Sequence, residues 1–227
     1  MRRQIILVVG ALVLTVGAGL TVAAGDKTPE QVGEQVAIEG TFVRVAANDE
    51  GWVVVGYRIA NESVGEEWML LDVGISLTDP DATHTLTRDD IKLVTPDNKA
   101  LSLPSQEDYE KVHGSLIPLV KRAAMVGDSI NYFPRGADRP CSMDLFAEPG
   151  AQRPQLAEDQ VELSGRLACL GRVFFELPGG IEIGNYNLDV KFDSSIVKVP
   201  MEIMTEERAK EFTKEWKKAL KEARHKD

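Results

Sequence analysis

Cysteine and histidine are scarce in this 227-residue chain. There are two cysteines, Cys141 and Cys169, and three histidines, His84, His113 and His225. A structural zinc site needs four close-set ligands, and these residues lack that spacing. No metal residue is assigned. Neither cysteine is placed by its spacing to use His113 as a base, so a thiol dyad has no support. There is no G-x-S-x-G turn and no phosphate-cradling loop, and Gly179-Gly180 alone is turn chemistry. With three tryptophans there is no sugar-stacking cluster. Basic residues are outnumbered 26 to 36, for a formal net charge of -10. An acidic surface repels phosphates, which disfavours nucleic acid as a partner. No catalytic or cofactor-binding residue and no cofactor is assigned. A hydrolase using two of the many carboxylates stays open as an alternative, but the sequence does not single out the pair.

What is present begins at the N-terminus. Arg2-Arg3 precede an uncharged, largely apolar run over residues 5–24. Val22-Ala23-Ala24, just before Gly25-Asp26, puts small or short residues at the cleavage-defining positions, which is the pattern of a signal peptide. Twenty residues also match the thickness of a bilayer, so residues 1–24 read as a signal peptide or an N-terminal membrane anchor. With the arginines on the cytoplasmic side, the body lies outside the cytoplasm: secreted, periplasmic or anchored. Membrane contact is expected only through this segment. Residues 25–34 are a polar linker. Export makes a Cys141–Cys169 disulfide a candidate, closing a loop of about 28 residues; two buried thiols are the alternative.

The centre of the body is residues 171–203, with three strand-like runs in succession. Val173, Phe174, Phe175 and Leu177 form the first, and Pro178-Gly179-Gly180 ends it. Tyr186, Leu188, Val190 and Phe192 alternate with polar residues, as in a strand with one wet face. Ile196, Val197 and Val199 start the third, where Pro200 predicts an edge or a bulge. Together they predict an antiparallel meander. Earlier strands are predicted over residues 35–47 (broken near Gly40), 52–60 and 68–77. The last of these is expected to keep Asp72, Gly74 and Ser76 on a wet face. Residues 91–94, 101–103, 141–146 and 161–163 add shorter extended pieces. Clustered acids over residues 78–90 lack calcium-loop spacing and read as a solvated loop. Asn61-Glu62-Ser63 fits a glycosylation acceptor.

Two stretches change period. Residues 105–126 predict a helical insertion, capped by Ser105 and split by Pro118 into pieces at 106–113 and 117–126. Residues 205–227 contain neither glycine nor proline. Thr205 is an N-cap candidate, and acids at the start with bases at the end match the helix dipole. Ala209, Phe212, Trp216, Ala219 and Ala223 make a narrow apolar stripe. Eight basic and six acidic residues give this helix a charge of +2, against -14 for residues 26–204. Its stripe either docks on its own domain or meets a partner through Phe212 and Trp216. Arg135 and Arg139, in a loop of an acidic protein, are the other partner-binding candidates; they either hold an anion or pair with neighbouring acids.

The W-V-V-V strand running to Asn61-Glu62-Ser63, the late G-R-V-F-F-E-L-P over residues 171–178 and Y-N-L-D-V-K-F over 186–192 carry a resemblance. In these stretches the chain resembles the secreted bacterial immunoglobulin-like (telokin-like) β-sandwich domains of unknown function. The resemblance spans residues 36–203. It implies a mainly β protein, an immunoglobulin-like antiparallel β-sandwich of seven to nine strands over residues 35–204, and implies no catalytic residues. The insertion, the C-terminal helix and the missing lipid-attachment cysteine depart from the simplest members. The expected function is that of a non-catalytic cell-envelope interaction or accessory protein with a protein partner. An extracytoplasmic protein binding a small ligand or cation is the alternative.

Overall fold

The computed structural model describes residues 35–147 and 157–224. Four strands come first: β1 (Gln35–Gly40), β2 (Val43–Ala47), β3 (Gly51–Gly56) and β4 (Trp68–Leu77). The β2–β3 turn is closed by Asn48, whose Oδ1 accepts from the backbone N–H groups of Glu50 and Gly51 at 2.9 and 2.8 Å. A one-turn helix, α1 (Arg58–Asn61), follows β3. The strand expected over 52–60 is therefore cut short. Ile59 and Ala60 are buried in helical form, Arg58 turns to Asp128, and the Asn61 side chain accepts from Met204 N. That bond, with Ser63 only 1% exposed, embeds the acceptor triplet in the fold.

After β4 come β5 (Thr83–Thr87), a 3-10 turn, β6 (Ile91–Val94) and β7 (Ala100–Ser102). Helix α2 (Gln106–Val126) leads to β8 (Arg139–Ser142), β9 (Gln160–Ser164), β10 (Leu167–Glu176), β11 (Gly184–Lys191) and β12 (Ile196–Ile203). Helix α3 (Glu206–Arg224) ends the described chain. The twelve strands among the described residues form a six-stranded sheet ordered β1-β2-β3-β4-β10-β8, a four-stranded sheet β12-β11-β6-β7 and a two-stranded β5-β9 pair. All pairings are antiparallel except β8 with β10. The protein is thus a mixed fold dominated by antiparallel sheet, with a helical insertion and a C-terminal helix.

The two larger sheets share one core. Val53 and Val55, Leu71, Val73 and Ile75, and Val173 and Phe175 meet Leu188, Val190, Val197 and Val199, all buried. Pro200 lies on β12, an edge strand, where a missing donor is tolerated. Residues 171–203 are not one meander, however. Leu177 N and Ile181 N bond to the carbonyls of Glu67 and Glu66 at 2.7 and 2.9 Å, and Gly180 takes φ 81°. This turn carries the chain from one sheet to the other, because β10 is flanked by β4 and β8.

Two further expectations are corrected. Of the wet face expected for β4 only Asp72 stays partly open: Gly74 and Ser76 are buried. The segment after α2 crosses this side of the sheet, with Ile130, Tyr132 and Phe133 packed on Val43, Val45 and Val54. Trp52 Nε1 ties it down by donating to Tyr132 O at 2.7 Å. A Cβ on Gly74 would lie 2.7 Å from the tip of the Phe133 ring, so a larger residue there would have to push that ring aside. Secondly, α2 is one helix through Pro118. Pro118 and Gly114 are both on the exposed side, where water can meet the Gly114 carbonyl that loses its partner. Ser105 caps this helix by accepting from Asp108 N at 3.1 Å.

The membrane-anchor expectation also needs correction: among the described residues no helix is long and apolar enough to cross a membrane. Residues 5–24, on which it rested, lie outside the described residues, as do the linker 25–34 and residues 225–227.

Candidate functional site

The outer face of the six-stranded sheet is only partly covered. Between the crossing segment and the start of α2 lies an open groove of about 510 Å³. β10 supplies its floor. Leu170, Arg172 and Phe174 fall at alternate positions and so point the same way. Asp72 of β4 stands in register with Arg172 and joins that floor. The end of α2 contributes Ala123 and Ala124, then Gly127 and Asp128; Met143, Asp144 and Phe146 form the opposite wall.

The wall is held firmly. Gln106 and Ala147 exchange two hydrogen bonds of 3.1 Å each between side chain and backbone, tying the start of α2 to the wall. Arg88 donates to Leu145 O and, at 3.1 Å, to Pro104 O, with its guanidinium over the Phe146 ring at 4.7 Å. Burial holds Arg88 below the usual arginine range. Tyr109, Phe146 and Phe174 form an aromatic triad, with centroids 4.8 to 5.4 Å apart. Gly171 is needed because a Cβ there would run into the Met143 backbone. The Cys141–Cys169 disulfide is formed, joining directly opposed positions of β8 and β10 just before the wall begins.

The charges are arranged in pairs. Arg172 Nε donates to Asp72 Oδ1 at 3.1 Å. Arg58 grips Asp128 with two bonds, Nε to Oδ2 at 3.0 Å and a terminal nitrogen to Oδ1 at 2.7 Å. Asp144 accepts from Ser142 Oγ at 2.6 Å. Burial pushes the Asp72 carboxyl above the usual aspartate range; Arg172 opposes the shift and the Asp128 charge adds to it. The groove therefore offers a half-buried ion pair beside the exposed Leu170, and the buried Tyr109, Phe146 and Phe174 close its end.

The residues singled out from the sequence lie elsewhere. Phe212 packs on its own domain, its ring 5.3 Å from the buried Arg44 guanidinium. Thr213 bonds to Thr41 at 2.9 Å, and Ala209 is buried, so the first turns of α3 dock at home. Trp216 is half-buried. Arg135 and Arg139 are exposed, and among the described residues neither pairs with a carboxylate. The acids of residues 78–90 serve local structure. Asp79 accepts from Asp81 N, Asp81 pairs with Arg166, and Asp90 closes a capping box with Thr87. Among the described residues no group of histidine, cysteine and acidic side chains could hold a metal ion.

Neither Asp72 nor Arg172 carries a site signal in sequence, because each stands as a lone charge with apolar residues or glycine on both sides. Their signal was available only as a pair. Opposite charges on two strand faces gain meaning once β4 and β10 are known to be neighbours. No protein-family model, no curated protein and no solved structure matches the chain.

Proposed function

We propose that the protein is a non-catalytic interaction module of the cell envelope, an immunoglobulin-like sandwich that works outside the cytoplasm and binds a protein partner in the groove on β10. The observation that carries this reading is the groove itself. Its volume falls in the range of binding clefts, about 300–1,000 Å³, and its accessible lining is more polar than apolar, with the Asp72–Arg172 pair beside Leu170. The disulfide supports an oxidising compartment. The shared core of the two larger sheets supports the sandwich reading. A hydrolytic pair is less well supported, because arginines engage both Asp72 and Asp128.

The test is mild crosslinking of the full chain in its native envelope, followed by mass spectrometry. Ala124→Trp, which fills the groove from an exposed helix position, is compared with the wild type and with a chain ending at Met204. A specific partner crosslinked beside the groove and lost with Ala124→Trp is expected. A partner lost only with α3 moves the site to Phe212 and Trp216; no partner in any form counts against the module. A small-ligand reading is favoured by the volume of the groove. Calorimetric titration of the full chain with calcium, simple anions and primary amines tests it, and no heat and no melting shift excludes those ligands.

A further inference from the structure

We infer that two copies of the chain join edge to edge through β1, in antiparallel register about Ala37, so that the six-stranded sheet of one continues into that of the other. This goes beyond the groove reading, because β2, β3 and β4 lie between this edge and β10. The ladder fixes which backbone groups face the edge. Tyr57 N bonds to Phe42 O at 2.9 Å, and Asn48 N to Gly51 O at 3.0 Å. Bonded positions recur at every second residue of an antiparallel pair, so Arg44 and Ala46 also turn their peptide groups to β3. Val45 and Ala47 turn theirs the other way, to Ala37 and Gln35 of β1. The N–H and C=O groups of Val36 and Ile38 therefore point off the sheet, and among the described residues β1 pairs only with β2.

The side chains agree. Val36 and Ile38 stand opposite Ala46 and Arg44, on the core side of the sheet. On that side β12 lies against β2 and β3, and Val36 and Ile38 remain 39% and 44% exposed. The other edges of the two larger sheets are blunted. β8 has four residues and contains Pro140, β7 has three residues, and β12 carries Lys198 and Pro200. β1 has neither lysine nor proline, and the irregularity in its ladder falls after Ile38.

A second copy fits because the strand is its own complement. With Ala37 on the two-fold axis, Val36 faces Ile38 of the second copy and Ile38 faces Val36. Each such pair exchanges two hydrogen bonds and matches two β-branched side chains. Gln35 comes opposite Glu39, so no like charges oppose each other. One patch meeting itself is what a two-fold interface requires. A single short strand pair buries less than the about 1,200–2,000 Å² of a stable complex, so the dimer is a weak one, with a Kd of about 100 µM.

The experiment is sedimentation of the full oxidised chain from about 10 µM to about 1 mM, where a shift from monomer to dimer is expected. Val36→Pro removes an outward N–H and spares the bonds that Gln35 and Ala37 make to β2, while Ile38→Lys puts a charge on the exposed edge. Each should weaken the dimer at least about tenfold, with the monomer Tm held to within about 5 °C. Cysteine variants read the register, with the linked peptides identified by mass spectrometry. Ala37→Cys, at an opposed pair with Cα atoms about 4.5 Å apart, should link two copies on oxidation. Gln35→Cys, about 13 Å or more from its counterpart, should not. A monomer at every concentration, a dimer unchanged by both edge variants, or linking of Gln35→Cys in place of Ala37→Cys overturns the inference. A dimer lost in Trp216→Ala but kept in both edge variants assigns self-association to α3 and overturns it as well. None of these results bears on the groove, whose partner is read separately by crosslinking with Ala124→Trp.

Discussion

Arg44 is the most demanding residue in the body. It is 6% exposed, yet one terminal nitrogen donates to the carbonyls of Gly40, Thr41 and Val43. Its guanidinium lies 5.3 Å from the rings of both Tyr57 and Phe212. Burial lowers its pKa, and burial also pushes the Tyr57 hydroxyl up to about 12, which leaves Tyr57 uncharged and able to donate to Thr41 O. Arg44→Ala leaves these carbonyls without their donor and is expected to cost about 2–4 kcal/mol in urea denaturation. At the same scale, two carboxylates should respond to acid with opposite sign. The folded-state pKa of Asp72 is raised by burial, so ionised Asp72 costs stability at neutral pH, and that cost is relieved as pH falls through the raised value. Burial also acts to raise Glu50, but hydrogen bonds from Ser195 and Ser194 outweigh it and leave the pKa lowered. Its contribution is present at neutral pH and is lost as pH falls through the depressed value. Urea midpoints at about pH 7 and about pH 4 should therefore show wild type gaining on Asp72→Asn and losing ground to Glu50→Gln. A shift in the same direction for both variants would contradict these environments.

At the scale of elements, α2 combines a buried stripe with an exposed fault. Tyr109, Leu116, Leu119 and Ala123 are buried at three- and four-residue spacing, and this anchoring keeps the helix whole through Pro118. Because Pro118 is exposed and forfeits one backbone bond, Pro118→Ala should stabilise the protein by about 1–3 kcal/mol, read as a higher Tm. No gain would mean that the helix has already adapted its backbone to the ring. The helix also sets the groove, since Tyr109 lines one end and Ala123 and Ala124 the side. α3 behaves differently. Its first turns dock through Ala209, Phe212 and Thr213, while its ion pairs at 206–210 and 218–222 run along its own exposed surface. Such exposed pairs are screened by water and add little, so the docking is set by apolar and ring contacts rather than by the charge contrast between helix and domain.

At the scale of the whole molecule, the disulfide is the only covalent link between distant parts of the described chain. It joins a short edge strand to one of the two ten-residue strands of the sheet, and Cys169 is fully buried. Closing about 28 residues should contribute about 3–4 kcal/mol by chain entropy. Reduction is expected to lower the urea midpoint accordingly, and alkylation followed by intact mass should label neither cysteine before reduction and both after it. Labelling of both thiols without reductant would contradict the bond. Since the bonded pair sits just before Met143, reduction should loosen the groove wall before it melts the shared core.

Local pattern by itself determined a good deal. Alternation marked β11 and the early strands, Ser105 and Thr205 marked helix starts, and the cysteine pair marked the disulfide, because period and capping act over a few residues. Where those pieces went depended on contacts between distant parts of the chain. The turn after Leu177 reads as an ordinary hairpin in sequence, yet its bonds to Glu66 and Glu67 send the chain into the other sheet. Gly74 and Ser76 alternate as residues on a wet face, yet a segment more than fifty residues later covers that part of the sheet. The groove exists because β4 pairs with β10 at a separation of 100 residues between Asp72 and Arg172. Such pairings are selected by the burial of the assembled whole, and no local window of the chain contains that information.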